Sequence, residues 1–319
     1  MWYGSTVSPR MRKARNVCGA IVVVLVVLAF LAWAMRARWL PFAIAGAPNA
    51  GKTAAQLDRD VRLAPAIARM SRDLRIDVGA GTAEAASLSV RLLVAGTTPP
   101  RGTVFVLHGI RDSKSSMLGT GAAFARAGYA VALVDARGQG RSTGDWLSFG
   151  AREGLDLKEV ADALAAQGEL ALPVGVYGPS YGGAVALQMA RRDRRVRAVV
   201  TVATFTRMTD VVPLYAERIV PTWLVTHADI ATAIERAGAL GGFRPAEADS
   251  VAAIAATDAQ VLVIHGRADG NIPWQHGQAL HDEAPDRSRL LVIEGKDHRT
   301  IMSDAQVLEE SVAWFGRWL

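Results

Sequence analysis

Cysteine is almost absent from the 319 residues: Cys18 stands alone. A disulfide within the chain is therefore excluded, and with it the class of small disulfide-held scaffolds. Cys18 opens an apolar run instead of following one, so it does not read as a lipoprotein cysteine. Internal repeats and low-complexity tails are missing too. Basic charge is missing where a nucleic-acid surface would need it. The formal excess is +6. Arg10, Arg12, Lys13 and Arg15 supply four of these charges, and Arg36 and Arg38 supply the rest. Residues 39–319 are formally neutral, so no nucleic-acid partner is expected.

Charge of either sign is absent from Val17 to Met35, a run of 19 residues. At a rise of 1.5 Å per residue this stretch reaches about 28 Å, close to the hydrocarbon thickness of a bilayer. A cleaved signal peptide has a shorter apolar core, followed by a small-residue site for which Ala32-Trp33-Ala34 could serve. The length of the run, the flanking Trp33 and Trp39 and the arginines that follow favour an uncleaved transmembrane anchor. Four basic residues precede it and fewer follow closely, which predicts a cytoplasmic N-terminus and an extracytoplasmic main domain. The expected organisation is a basic tail at 1–16, the anchor at 17–35, a juxtamembrane linker at 36–70 and one domain at 71–319.

Within the linker, Gly46-Ala47-Pro48-Asn49-Ala50-Gly51-Lys52-Thr53 matches the phosphate-cradling pattern literally. A phosphate loop also needs a surrounding parallel sheet and a later acidic residue for magnesium. Neither follows within reach, so nucleotide binding through 46–53 is a remote alternative.

From about residue 72 the hydrophobic pattern becomes regular. Leu74–Val78 and Leu88–Leu92 alternate apolar with polar residues, as a half-exposed antiparallel hairpin does. Continuous apolar runs follow at Thr103–Leu107, Ala130–Val134, Val174–Tyr177, Val196–Val202, Val261–Ile264 and Leu290–Ile293, the pattern of strands buried on both faces of a parallel sheet. Helical stretches separate most of them: Ser115–Ala127, Glu153–Gln167, Gly183–Arg191 and Trp274–Glu283, with Asp304–Leu319 last. The expected class is α/β, a doubly wound, mostly parallel sheet with an N-terminal antiparallel hairpin. Between Val202 and Gln260 no buried strand is expected. Thr204–Leu224 carries aromatics, Pro213 and Pro221, and 230–256 is alanine-rich, which together suggest a small lid over about 204–256.

The chemistry centres on Gly178-Pro179-Ser180-Tyr181-Gly182. This fits the Gly-x-Ser-x-Gly pattern of a nucleophile elbow between a strand and a helix. The serine is expected in a strained backbone conformation that lifts its hydroxyl clear of the sheet. Gly178 and Gly182 are expected because a Cβ there would collide with neighbouring elements. A serine hydroxyl needs a base, and the base needs an orienting group. His298, just past the last strand, is the candidate base. His108 and His265 read as structural residues at strand ends. Asp269, after the strand Val261–Ile264, is the candidate orienting acid, with Asp210 as runner-up. Asp297 adjoins His298 in sequence and should point away from it. Ser180, Asp269 and His298 all lie at carboxyl ends of strands, where open parallel sheets carry their sites. Backbone N–H groups of Tyr181 and Ile110 are the candidate oxyanion donors.

His108-Gly109, the run Asp135 to Ser142, the elbow at 178–182, His265-Gly266 through Asp269 and Pro273, and His298 together resemble the α/β-hydrolase superfamily. The resemblance runs from about 72 to 319 and is of the serine type, similar to small-lid esterases and serine-aminopeptidase-like members, membrane-anchored ones included. It implies cleavage of an ester, thioester or amide through an acyl-enzyme, a small acyl substrate, and no metal or cofactor. The 135–142 turn is usually structural in that family. Proline at 179 is a mild departure. A non-catalytic binding protein on the same fold is the alternative, and oligomeric state is not legible.

Overall fold

The computed structural model describes residues 18, 21–27, 30, 38–57, 70–221 and 223–319. Most of the expected anchor at 17–35, and the tail before it, lie outside the described residues. Within 17–35, residues 18, 21–27 and 30 are helical and exposed. Among the described residues no helix is long and apolar enough to cross a membrane.

Eight strands form one sheet: β1 (Ser71–Val78), β2 (Ala86–Leu93), β3 (Thr103–Val106), β4 (Ala130–Val134), β5 (Val174–Pro179), β6 (Val196–Val202), β7 (Gln260–Gly266) and β8 (Ser288–Ile293). Their spatial order is β1-β2-β4-β3-β5-β6-β7-β8. β1 and β2 pair antiparallel, as do β2 and β4, and every later pairing is parallel. Every residue of β3 and β5 is buried, which is why those runs carry no alternation.

Beyond residue 37, and apart from the single turn Ala54–Leu57, the described α-helices are α1 (38–45), α2 (Leu118–Arg126), α3 (Glu153–Ala166), α4 (Tyr181–Ala190), α5 (Met208–Ile219), α6 (His227–Gly241), α7 (Ser250–Ala256), α8 (Gln275–Glu283) and α9 (Ala305–Trp318). One face of the sheet packs Leu157, Val160 and Leu164 of α3, all of α4's apolar residues, Ala253 and Ile254 of α7, and Leu280 of α8. The other face packs Phe124 of α2 with Val307, Trp314 and Phe315 of α9. Local sequence sets several boundaries. Thr226 and Asp229 form a capping box at the start of α6, and Gly242 ends that helix at φ 66°. Asp249 and Asp304 cap α7 and α9.

Three segments depart from expectation. β8 is not buried on both faces: of its residues only Ile293 is buried, as befits a strand at the end of the sheet. β2 is not half exposed: Ser89 and Arg91 on its polar face are buried. Arg91 is covered by Asp73 across the pair, with bonds of 2.7 and 2.6 Å. Ser89 is covered by Lys114, whose ammonium reaches its hydroxyl at 2.7 Å. The third departure is α5, which forms through the proline-bearing stretch with Pro213 inside it. Its helix stacks Met208, Val211 and Val212 into the core, and that burial outweighs one missing N–H donor.

The described part of 36–70 packs closely on the domain. Ala45 is fully buried, its carbonyl accepts Leu147 N–H at 2.7 Å, and Phe42 lies 4.9 Å from the Trp146 ring. Beside this contact the Asp135–Ser142 turn is tied together from inside. Asp135 pairs with the Lys114 ammonium at 2.5 Å, accepts Lys114 N–H at 2.6 Å and accepts Arg141 N–H at 2.9 Å. Both side chains of the pair are about fully buried.

Removing one partner of such a pair strands the other charge in the core. Lys114→Ala is expected to lower unfolding stability by about 3–5 kcal/mol. Urea melts followed by circular dichroism measure this; a loss below about 1 kcal/mol would mean that the pair behaves as a surface ion pair.

Candidate active site

The turn after β5 carries Ser180 at φ 50° and ψ −116°, in the region that residues other than glycine avoid. Its surroundings hold it there. Ser180 N–H donates to the Val202 carbonyl at 2.7 Å, and its own carbonyl accepts from Gly183 N–H at 3.0 Å and the Thr204 hydroxyl at 3.2 Å. A Cβ on Gly178 would overlap the Gly182 backbone, and one on Gly182 would press on the His108 carbonyl at 2.7 Å. The elbow thus needs both glycines for close approach, at the points where β3 and α4 meet it.

Tyr181, which opens α4, is locked from its far end. Its hydroxyl donates to Glu153 Oε1 at 2.6 Å. The Glu153 carboxylate also accepts Ser148 N–H at 2.8 Å, Gly150 N–H at 2.9 Å and the Ser148 hydroxyl. Burial, with the Glu153 charge second, pushes the Tyr181 phenol well above its ordinary value. Sequence reading placed Glu153 only as a helix start. A buried carboxylate at the first turn of an amphipathic helix was the available signal.

Asp269 and His298 come together because the loops after β7 and β8 are joined edge to edge. Arg267 N–H donates to Ile293 at 2.9 Å and Ala268 N–H to Lys296 at 3.0 Å. Gly266 lets the Lys296 carbonyl pass where a Cβ would block it. The Asp269 carboxylate then accepts Asn271 N–H and Ile272 N–H on Oδ1, each at 2.8 Å, and lies 2.7 Å from His298 Nδ1 on Oδ2. This leaves Nε2 of His298 for another partner. The Ser180 hydroxyl makes no hydrogen bond to that ring. Ile272, whose N–H holds Asp269, shares a cavity wall with Ser180.

The other sequence candidates fall elsewhere. Asp210 accepts the Thr206 hydroxyl at 2.5 Å, and Thr206 in turn meets His276 Nδ1 at 2.8 Å. The runner-up acid therefore serves His276, not His298. Asp297 turns to its own loop, where Oδ1 accepts Arg299 N–H at 2.9 Å and Thr300 N–H at 2.8 Å. His108 is buried, with Nε2 accepting Ala136 N–H at 3.1 Å. His265 Nε2 lies 2.9 Å from the Ile272 carbonyl and 3.5 Å from Asp269 Oδ2. Both are acceptors, so the proton belongs on Nε2.

Ile110 and Tyr181 line the same cavity as Ser180, and among the described residues neither backbone N–H has a protein acceptor. The cavity measures about 690 Å³. Phe149, Phe205 and Ile272 wall it from the sheet side, Val211, Val212, Tyr215, Ala216 and Ile219 from α5, and Trp39, Leu40, Phe42, Ala43 and Ile44 from α1. Tyr215 was missed by sequence reading. Burial raises its phenol, and the Asp269 charge adds to this. The signal was the Val211, Val212, Tyr215, Ile219 spacing, once the stretch is allowed to be helical.

The stretch 46–53 forms no phosphate cradle. Ala47 N–H donates to the Asp145 carbonyl at 2.9 Å and Asn49 N–H to Gly138 at 3.1 Å. Gly51 N–H is taken by the Asp145 carboxylate at 2.7 Å, and Lys52 Nζ by the Pro48 carbonyl at 3.1 Å. The amides are spent on the 135–146 turn, and an acid stands where phosphate oxygens would lie. Among the described residues no group of three or more His, Cys, Asp or Glu is placed to hold a metal ion.

The sheet order, the elbow after β5 and the acid and histidine after β7 and β8 define the α/β-hydrolase fold. A family model described as serine aminopeptidase, S33, matches residues 98–237. The uncharacterised protein YqkD of Bacillus subtilis is 27% identical over 201 residues, 61% of this chain and 64% of that protein. The match thus spans less than two thirds of that relative's length. Among solved structures, the Pyrococcus furiosus esterase Pf2001 aligns with a TM-score of 0.62 at 20% identity, covering 82% of this chain and 97% of the esterase. A Mycobacterium tuberculosis puromycin-hydrolyzing peptidase aligns with a TM-score of 0.60 at 18% identity, covering 78% of this chain and 39% of the peptidase. Over residues 98–237 the chain is thus similar to the serine aminopeptidase S33 family, and it shares its fold with an esterase and a peptidase of known structure.

Burial works to raise the Asp269 carboxyl, but hydrogen bonds from the His265 and His298 rings and Ile272 N–H outweigh it and hold the group well below the ordinary carboxylate range. A carboxyl depressed on folding contributes stability above its unfolded value of about 3.9 and loses it as pH falls through the folded value. The stability gap between wild type and Asp269→Asn is expected to be largest near neutrality and to shrink below about pH 4. Urea melts at neutral and acid pH check this; a gap that widens toward acid contradicts the assignment.

Proposed function

We propose that the protein is a serine hydrolase that cleaves a carboxylic ester through an acyl-enzyme. The observation that carries this reading is the 2.7 Å bond between Asp269 and His298 at the same sheet edge as the strained Ser180. In the proposed cycle, Ser180 Oγ attacks the acyl carbonyl while His298 Nε2 takes the hydroxyl proton. Asp269 holds the ring and stabilises its charged form. The oxyanion accepts hydrogen bonds from Ile110 N–H and Tyr181 N–H. Collapse expels the alcohol, protonated by His298, and water repeats the sequence on the acyl-enzyme. The serine–histidine contact is the last to form, since such bonds commonly tighten only with substrate in place.

Ester is favoured over aminoacyl amide by the cavity lining. An aminopeptidase must hold a free ammonium group, and none of the described lining residues is a carboxylate. The insertion over α5 and α6 serves as the lid of this site. Residues 17–35 anchor the enzyme in a membrane with its N-terminus cytoplasmic; the charge-free length of 17–35 and the preceding basic residues support this. The chain is then expected to stay with membranes through an alkaline carbonate wash, and a deletion of 17–35 to release it.

A fluorophosphonate probe should label the wild type and spare Ser180→Ala. Asp269→Asn should lower kcat roughly 10³–10⁴-fold, and Asp210→Asn far less. Equal labelling of wild type and Ser180→Ala would remove the mechanism. Failure to turn over any acyl ester while a ligand still binds would favour a non-catalytic binding protein.

A further inference from the structure

We propose that the cavity at Ser180 seats the acyl chain of a long-chain lipid ester, and that α1, which precedes the sheet in sequence, is one wall of that seat. This rests on the serine-hydrolase reading and names its substrate class. Three observations carry it.

The first is the chemistry of the cavity. Its volume of about 690 Å³ exceeds what a short acyl group fills. Among the described residues its one charged lining side chain is Arg111, whose guanidinium Nη2 donates to the Ala43 carbonyl at 2.8 Å. Beyond Arg111, only Trp39, Ser180, Tyr181 and Tyr215 of the described lining residues carry polar side-chain atoms, so a polar acyl group would find few partners there, whereas an alkyl chain needs none. The second is the tie between α1 and the oxyanion loop. Arg111 follows Ile110 directly and reaches back to α1, so the wall and the donor are fixed together. The third is the mouth. Trp39, Phe42 and Ile219 line the cavity and are also 58%, 50% and 75% exposed. An apolar rim of this kind suits entry of a chain from a lipid phase.

Full burial of each added methylene is worth roughly a fourfold gain in specificity. For the full chain, kcat/KM on p-nitrophenyl dodecanoate should exceed that on the butyrate ester by at least about tenfold. Ala43→Trp on the α1 wall, and separately Ala216→Trp on the α5 wall, should lower the dodecanoate-to-butyrate ratio by about tenfold or more. The fluorescent fatty acid cis-parinarate should bind the Ser180→Ala protein, be displaced by dodecanoate, and bind about tenfold more weakly when Ala43→Trp is added. Circular dichroism verifies that each variant is folded. Turnover with no chain-length response, or a ratio unmoved by both tryptophans, overturns the seat and leaves the serine mechanism standing. Fatty-acid binding without turnover of either ester keeps the seat and removes the mechanism. Absence of both turnover and fatty-acid binding overturns the two together.

Discussion

The turn between β5 and α4 is the constraint to which the rest of the domain conforms. Ser180 holds a backbone shape that costs roughly 1–3 kcal/mol, so neighbours must enforce it. They do so by crowding. Gly178 abuts Gly182, Gly182 abuts His108, and a Cβ on Gly183 would overlap the Thr204 hydroxyl. β5 lies between β3 and β6 in the middle of the sheet, where every one of its residues is buried. Central burial gives the strand the rigidity that a strained turn needs. The same crowding leaves Tyr181 N–H beside the serine without a backbone acceptor.

Around this turn the protein buries charge that a simpler core would exclude. Lys114 meets Asp135, Arg137 grips Asp156 at 2.6 and 2.9 Å, and Glu153 gathers four donors including Tyr181. Buried ion pairs add little net stability over apolar packing, because desolvation offsets attraction. Their value here is positional. Each fixes a loop that runs past the carboxyl ends of the strands: 108–117, 135–142 and 148–153. A hydrophobic core determines where strands lie, whereas these directional contacts determine where loop atoms lie.

The third ingredient is the joining of segments distant in sequence. The β7 and β8 loops share backbone hydrogen bonds, and this brings Asp269 to His298 across 29 residues. α1 closes the cavity from a segment that precedes the first strand. Its Ala45 carbonyl and Phe42 ring are held by Leu147 and Trp146. A stretch that looked like a nucleotide loop is instead a clasp on the 135–146 turn.

Much of the fold was legible because it depends on local periodicity. Strands buried on both faces read as unbroken apolar runs, and β3, β4, β5, β6 and β7 were located that way. The elbow was legible because its glycines answer a local steric demand at fixed spacing. Asp269 and His298 could be named from their places just after strands. What periodicity cannot carry is which distant surfaces meet. The buried face of β2 depends on Lys114 and Asp73, so alternation alone misassigned it. The helix through Pro213 forms because its far side has a core to join. Asp210 was separated from His298 only by its engagement with Thr206 and His276. Sequence by itself determined the order of strands along the chain, the elbow and the neutral charge of the main domain, since each is a property of neighbours. Tertiary structure alone decided which acid reaches which histidine, and that α1 and Tyr215 wall the cavity, because those contacts join residues whose spacing along the chain encodes nothing about their distance in space.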